Sequence, residues 1–400
     1  MKRREAAAAL LRDPSLRGTI DPFMVMDVMQ AAAAKEAAGA HVIHMEVGQP
    51  ATPAPKAALD AVRSALGRDK LGYTLALGMP ALRERIARVY QERHGLDVSA
   101  ERVIVTTGSS AGFLLAFLAL FDAGDGLLLP TPGYACYRHI ASALDLRPAF
   151  VPTGEASRWM PDPADVARLA AADPGLRGFL VASPANPTGT MLEPDRLAAL
   201  VAAATAQRMW FISDEIYHGL GYAMPGTTAL AYSDQAVVIN SFSKYYSMTG
   251  WRIGWMVVPQ GLVRVIERLA QNLFICPPAI SQIAALGAFD GIDELEANRR
   301  VYLENRELLL AELPRAGLER IVPADGAFYL YIDVGDVTMD SPAFARAMLD
   351  ELGIAATPGV DFDAERGSRF VRLSYSGATS EMAEAARRLK GWRRLSGRNG

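Results

Sequence analysis

Four hundred residues, half of them hydrophobic and 21% charged, make a globular chain too long for one small core and point to two domains. A formal net charge of -3 provides no field for gathering nucleic acid or an acidic membrane surface. Cys136 and Cys276 are too few for a disulfide framework or a cysteine metal site, and they suit a reducing, cytoplasmic compartment.

In chain order, MKRREAAAALLRD reads as an amphipathic helix and not a secretion signal, because AAAALL is short and Arg12-Asp13 follows at once. The next segment, through HVIHMEVGQPATPAP, is too short to fold alone and is expected to pack with the C-terminal part of the chain. From about Arg102 to Pro259, seven apolar runs (VIVTT, GLLLP, PAFVP, GFLVAS, MWFIS, AVVIN and IGWMVV) alternate with alanine- and leucine-rich stretches. Strands this uniformly apolar, several separated by helix-length segments, predict an α/β fold with a mainly parallel seven-stranded sheet buried on both faces. The longest apolar run, Ala111 to Phe121, falls short of the ~18 residues of a membrane span and reads as a buried helix. After Gly291 the pattern changes to a long charged helix (NRRVYLENRELLLAEL), strands in GAFYLYIDV, IAATP and RFVRLSYS, and helices in SPAFARAMLDEL and SEMAEAARRLKGW. This is a smaller α+β unit. The expected division is a large domain of residues 50–291 and a small domain made from both chain ends, 1–49 and 292–400. The basic tail from Arg387 to Arg394 reads as helix-terminal charge that complements the helix dipole, not as a nucleic-acid patch.

In an open α/β sheet functional groups collect beyond the carboxyl ends of the strands. Those ends carry Gly108-Ser109-Ser110, then Tyr134, Asn186, Asp214 with Tyr217, and finally Ser241, Ser243 and Lys244. Gly108 to Gly112 fits G-x-S-x-G, so Ser110 could be a nucleophile; the same strand, turn and helix could equally cradle a phosphate with backbone N–H groups. A serine hydrolase also needs a histidine after its acid. Asp214 and His218 give the order but lie four residues apart, and no further histidine follows. Ser241 to Lys244 matches S-x-x-K, yet neither S-D-N nor K-T-G occurs, and no nucleotide P-loop is present. Lys244 lies between an apolar strand and the aromatic run YYSMTGWRIGW, where its charge is costly. A lysine pressed toward neutrality is an amine nucleophile for an aldehyde. Pyridoxal phosphate is such an aldehyde, and it asks for a lysine, a phosphate site and a carboxylate opposite its ring nitrogen. Asp214 and the Ser109-Ser110 turn supply the other two, which favours the phosphate reading of Ser110.

SFSKYYSMTGWRIGW, together with SPANPTGTML and ISDEIYHGLGY, resembles the fold-type I, class I/II aminotransferases, the group that includes aspartate, alanine and aromatic aminotransferases. The resemblance runs from IDPFMVMDVMQ to GVDFDAERGSRFVRLSYS, nearly the whole chain. It implies a ping-pong transfer of an amino group from an L-amino acid to a 2-oxo acid. Lys244 would hold pyridoxal 5'-phosphate covalently and act as general acid/base, and Asp214 would keep the pyridine nitrogen protonated. Tyr217 and Asn186 would bond the phenolic oxygen, and Tyr134 would stack on the ring. Ser109, Ser110, Ser241, Ser243 and Arg252 would hold the phosphate. Tyr73 would reach it from the neighbouring subunit of a homodimer with shared sites. Arg372 would grip the substrate α-carboxylate, helped by Gly48 and Asn186, and no metal is called for. The same residues would serve a C–S β-lyase or a decarboxylase of this fold. Side-chain specificity is expected from Ile20 to Met26 and from Phe328.

Overall fold

A computed structural model describes residues 12–396. The helix read into MKRREAAAALLRD therefore lies, but for Arg12 and Asp13, outside the described residues. Among the described residues a short turn, Leu16–Gly18, precedes the helix Met24–Ala37 and a short strand, β1 (Ile43–His44). Seven strands then form the main sheet: β2 (Val103–Thr106), β3 (Gly126–Thr131), β4 (Arg147–Pro152), β5 (Leu176–Ala182), β6 (Trp210–Asp214), β7 (Val237–Ser241) and β8 (Gly254–Val257). Their order is β2-β8-β7-β6-β5-β3-β4. All the pairings are parallel except those of β8, which runs antiparallel to both β2 and β7.

Strand periodicity sends successive side chains to opposite faces, and each face has its own core. Val105, Leu128, Phe179, Phe211, Val238 and Trp255 pack on one side. Their immediate neighbours Ile104, Leu127, Leu180, Ile212, Ile239 and Met256 pack on the other. Both faces need apolar cover, and that is why the strands read as continuous apolar runs. The expected buried helix over Ala111 to Phe121 is the helix Gly108–Leu120, which packs its Phe113 and Phe117 in the second core.

The strands β9 (Tyr329–Asp333), β10 (Ile354–Ala355), β11 (Thr357–Pro358) and β12 (Phe370–Ser374) follow the long helix Ile292–Arg315. IAATP, expected as one strand, is two: β11 joins β12 and β9 in an antiparallel sheet, whereas β10 pairs in parallel with β1. The segment ahead of the main sheet thus does pack with the C-terminal one. The helix expected over SPAFARAMLDEL is α-helical only over Ser341–Ala347 and finishes as a π turn, Met348–Leu352. The basic tail is paired locally, Arg387 and Arg388 with Glu384 and Arg394 with Glu351. Among the described residues no helix is long and apolar enough to cross a membrane.

Candidate active site

A cleft of about 170 Å³ opens beyond the carboxyl ends of β2, β6 and β7. Its floor on the β2 side is the start of the helix Gly108–Leu120. Gly108 sits at φ +72°, a conformation that glycine adopts without strain. A Cβ there would come within 2.6 Å of Arg252 Nη2, so the missing side chain lets the guanidinium lie against the turn. Ser109 and Ser110 form the first helical turn, where unpaired N–H groups and the dipole favour an anion. Ser243 and Arg252 face the same cleft. Ser241 does not. Its hydroxyl is 2.8 Å from Ser243 Oγ and 3.1 Å from Ile253 O, so it braces Ser243 from behind.

Lys244 follows β7, and its Nζ donates to Gly48 O at 2.5 Å. The ring of Tyr217 lies 5.9 Å from Nζ and that of Phe328 6.0 Å. Burial, reinforced by the positive charges of Arg372 and Arg252, pushes the ammonium down to about 8. Asp214, at the end of β6, is 3% exposed. Burial raises its carboxyl to about 6, against the opposing pull of Tyr137 Oη and the Ile216 N–H, both of which donate to it. The sequence did not single out Tyr137, which lies three residues after Tyr134 on the helix Ala135–Ala143; that helical spacing was the only signal. Tyr134 meets Tyr137 and Phe23 edge-on, at 5.2 and 5.6 Å.

Arg372 is central in β12, opposite Tyr331 of β9 and Thr357 of β11. It is 2% exposed, and its guanidinium carbon sits 4.3 Å from the Tyr329 ring and 4.8 Å from that of Phe362. Nη1 donates to Asn186 Oδ1 at 2.8 Å and Nη2 to the carbonyl of Glu46, while Nε has no partner. Gly48 is indispensable at this crossing, because a Cβ would fall 1.6 Å from Tyr329 Oη. Tyr329 Oη is in turn 2.8 Å from Tyr217 Oη.

One wall of the cleft is apolar: Phe23, Val25, Met26 and Val47. The expectation for Ile20 to Met26 therefore narrows to three of its residues, for Ile20 is not among those lining the cleft. Phe328 packs against Tyr217 and is not among the lining residues, and Tyr329, the next residue, lines the cleft in its place. Tyr73 is 85% exposed and does not reach this chain's own cleft. No histidine lines the cleft, and His218 is paired with Glu215 at 3.4 Å and faces His94 elsewhere. Ser110 has no base. No group of three metal-ligating side chains occurs among the described residues.

A strand-end lysine, a buried carboxylate, an anion cradle and a guanidinium meet here in one cleft, and known proteins share the frame. Residues 40–389 match the family described as Aminotransferase class I and II. The chain belongs to that family, and it is an aminotransferase. A valine–pyruvate aminotransferase of Mycobacterium tuberculosis is 48% identical over 94% of this chain and 98% of its own length. A crystal structure of an aminotransferase from the same organism superposes with a TM-score of 0.92 at 48% identity, covering 95% of this chain and 99% of that one. The aspartate aminotransferase of Thermus thermophilus, solved with maleate, gives 0.90 at 30% identity, with 95% and 99% covered. Of the reactions the sequence left open, amino transfer is the one these relatives carry.

Proposed function

We propose that this enzyme uses pyridoxal 5'-phosphate to move the amino group of an apolar, branched L-amino acid such as valine to a small 2-oxo acid such as pyruvate. The observation that carries the substrate class is the apolar lining of Phe23, Val25, Met26 and Val47 in the same cleft as Arg372. Among the described residues the lining holds two arginines, and Arg252 belongs to the anion cradle, which leaves Arg372 as the one guanidinium there for a substrate carboxylate. The 48% identical valine–pyruvate enzyme supports the same choice.

The donor set fits the cofactor. Ser109, Ser110, Ser243 and Arg252 form a cradle for a phosphate dianion, with Ser241 bracing Ser243 and Gly108 leaving room for the guanidinium. Lys244 is an amine held near neutrality, able to bond an aldehyde, and Asp214 is a buried carboxylate suited to a pyridinium nitrogen. Bound there, the cofactor supplies the electron sink for negative charge at the substrate Cα. The chain's own residues do the rest. Arg372 and Asn186 would hold the α-carboxylate beside Gly48, and Tyr217 and Asn186 would donate to the cofactor's phenolic oxygen. Lys244 Nζ would take up the proton from the substrate Cα and hold it within the cleft for its return, a task suited to a group with a pKa of about 8. Tyr134 would lie along the cofactor ring, with Phe23 edge-on against it.

We also propose a homodimer in the cytoplasm. Tyr73 and Leu75 are exposed beside Ile275, since Thr74 N donates to Cys276 Sγ, and this apolar patch suits a second copy whose cleft Tyr73 would enter. The free thiols of Cys136 and Cys276 support a reducing compartment. The domain division at 50–291, with 1–49 joined to 292–400, is supported by the β1–β10 pairing. The experiment is a half-reaction: purified holoenzyme is mixed with single amino acids and no oxo acid, and its visible absorbance is followed. Valine should bleach the yellow band and aspartate should leave it. Preference for aspartate, or silence with every apolar amino acid, would overturn the substrate class.

A further inference from the structure

The helix Met24–Ala37 lacks a cap of its own. Phe23 occupies the N-cap position; its carbonyl takes the Met26 N–H at 2.9 Å, but its side chain has no atom to accept from the N–H groups ahead of it. The acceptor comes from the far end of the chain, where Asp361 Oδ1 takes the Met24 N–H at 3.2 Å. Asp361 is 1% exposed, and its Oδ2 has no partner. Burial raises this carboxyl above its ordinary range, with the Met24 and Val25 N–H groups, Arg372 and Arg138 opposing. A carboxylate placed at such cost in the interior is held there by what it fastens.

Three parts of the cleft converge on this point. The helix turn that Asp361 caps carries Phe23, Val25 and Met26, the apolar wall. The next residue, Phe362, lies against the guanidinium of Arg372. Phe362 O also accepts from Gly133 N at 3.0 Å, one residue before Tyr134, and the Asp361 carbonyl accepts from Arg138 Nη2 at 2.8 Å. We infer that Asp361 is a specificity-positioning residue, setting the distance between the arginine that grips the substrate carboxylate and the wall that reads its side chain. The inference rests on the proposed apolar substrate and names what holds the wall in place. A cap that slackens lets the wall recede, and contact with a branched side chain is lost, while the smaller side chain of alanine loses little. Discrimination between side chains that differ by a few methyl groups depends on such contacts.

The test compares kcat/KM for valine and for alanine in the holoenzyme. Asp361→Ala should lower the valine-to-alanine ratio about fivefold to tenfold, and Asp361→Asn, which keeps an acceptor, should restore most of it. Met24→Pro removes the donor instead. Met24 is the first helical residue, where proline is accommodated, and Phe23 already has the extended backbone that precedes proline. It should lower the ratio like Asp361→Ala, and the double variant should fall no further. Equilibrium binding of the inert carboxylates isovalerate and acetate provides a readout without turnover. The variants should lose affinity for isovalerate and keep it for acetate. An equal loss for valine and alanine, or an additive double variant, would assign Asp361 a merely structural role and overturn the inference. A wild-type enzyme that takes no apolar amino acid would overturn the substrate reading instead, and the two failures are distinct.

Discussion

At the scale of single residues, the chemistry rests on two groups whose protonation burial has displaced in opposite senses. Lys244 is lowered to about 8 and Asp214 raised to about 6. Only the neutral amine of Lys244 attacks an aldehyde, so capture of pyridoxal phosphate by cofactor-free protein should quicken about tenfold between pH 6 and 7 and level off above about 8. Stopped-flow absorbance checks this, and a rate still climbing tenfold per pH unit at pH 9 would mean an unperturbed lysine. Lys244→Ala should cost at least about a thousandfold in kcat and no stability at neutral pH, because it removes an ammonium that burial disfavours there. Both groups were legible in the sequence, since each follows an apolar strand whose carboxyl end must lie at the functional edge of the sheet. Tyr137 was not. A tyrosine one helical turn beyond another looks like core until the fold aims its hydroxyl at Asp214.

Elements are held by groups that sequence patterns do not flag. Glu215 stands next to Asp214 and points away from the cleft. Its Oε1 accepts from Thr228 Oγ1 and Ala229 N, both at 2.9 Å, and so caps the turn Ala229–Ala231. Burial raises its carboxyl to about 8 from the ordinary 4.5. The neighbouring His218 is pushed down to about 3 and His94 to about 4, so neither changes charge beside Glu215 in the folded protein between pH 4.5 and 8. Between pH 4.5 and 8 the folded protein keeps a proton on Glu215 that the unfolded chain has lost, and stability from this group falls as pH rises. Glu215→Gln copies the protonated form. Its melting temperature relative to the unmodified protein should therefore improve steadily from pH 5 to pH 8, and parallel curves would show that Glu215 is ionised in the fold. The strand β8 shows the same limit of pattern reading. IGWMVV looks like its parallel neighbours because it too is buried on both faces. Its reversal follows from residues 242–253, which hold the lysine loop and a single short turn, Thr249–Trp251, with no helix to carry the chain back.

For the whole molecule, the seven-stranded sheet was legible because two-sided burial leaves a coarse mark on every strand, and the site was legible where it sits on those strands. What pattern could not give were the crossings between distant parts: Met24 with Asp361, Glu46 with Arg372, Gly48 with Lys244. No local periodicity encodes them. A further crossing joins two chains if Tyr73 enters a partner's cleft, and mixing experiments expose it. Lys244→Ala subunits lack the amine and keep Tyr73, whereas Tyr73→Ala subunits have the reverse defect. Refolded together in equal amounts, half the dimers should be hybrids with one intact cleft each, so about a quarter of all clefts recover full cofactor affinity and turnover. Recovery no greater than the average of the parents would mean that each chain completes its own site.

The carbonyls of Glu46 and Gly48 bracket a single residue, Val47, and each already satisfies one of the cleft's two decisive cations. A substrate carboxylate arriving at Arg372 therefore displaces one oxygen the guanidinium already holds, and its main new bond is to the unpaired Nε. Its binding enthalpy should be muted, with the net drive coming from water released as the side chain meets the apolar wall. On that account the protein weighs amino acids chiefly by their hydrocarbon, and their shared carboxylate serves mostly to orient them.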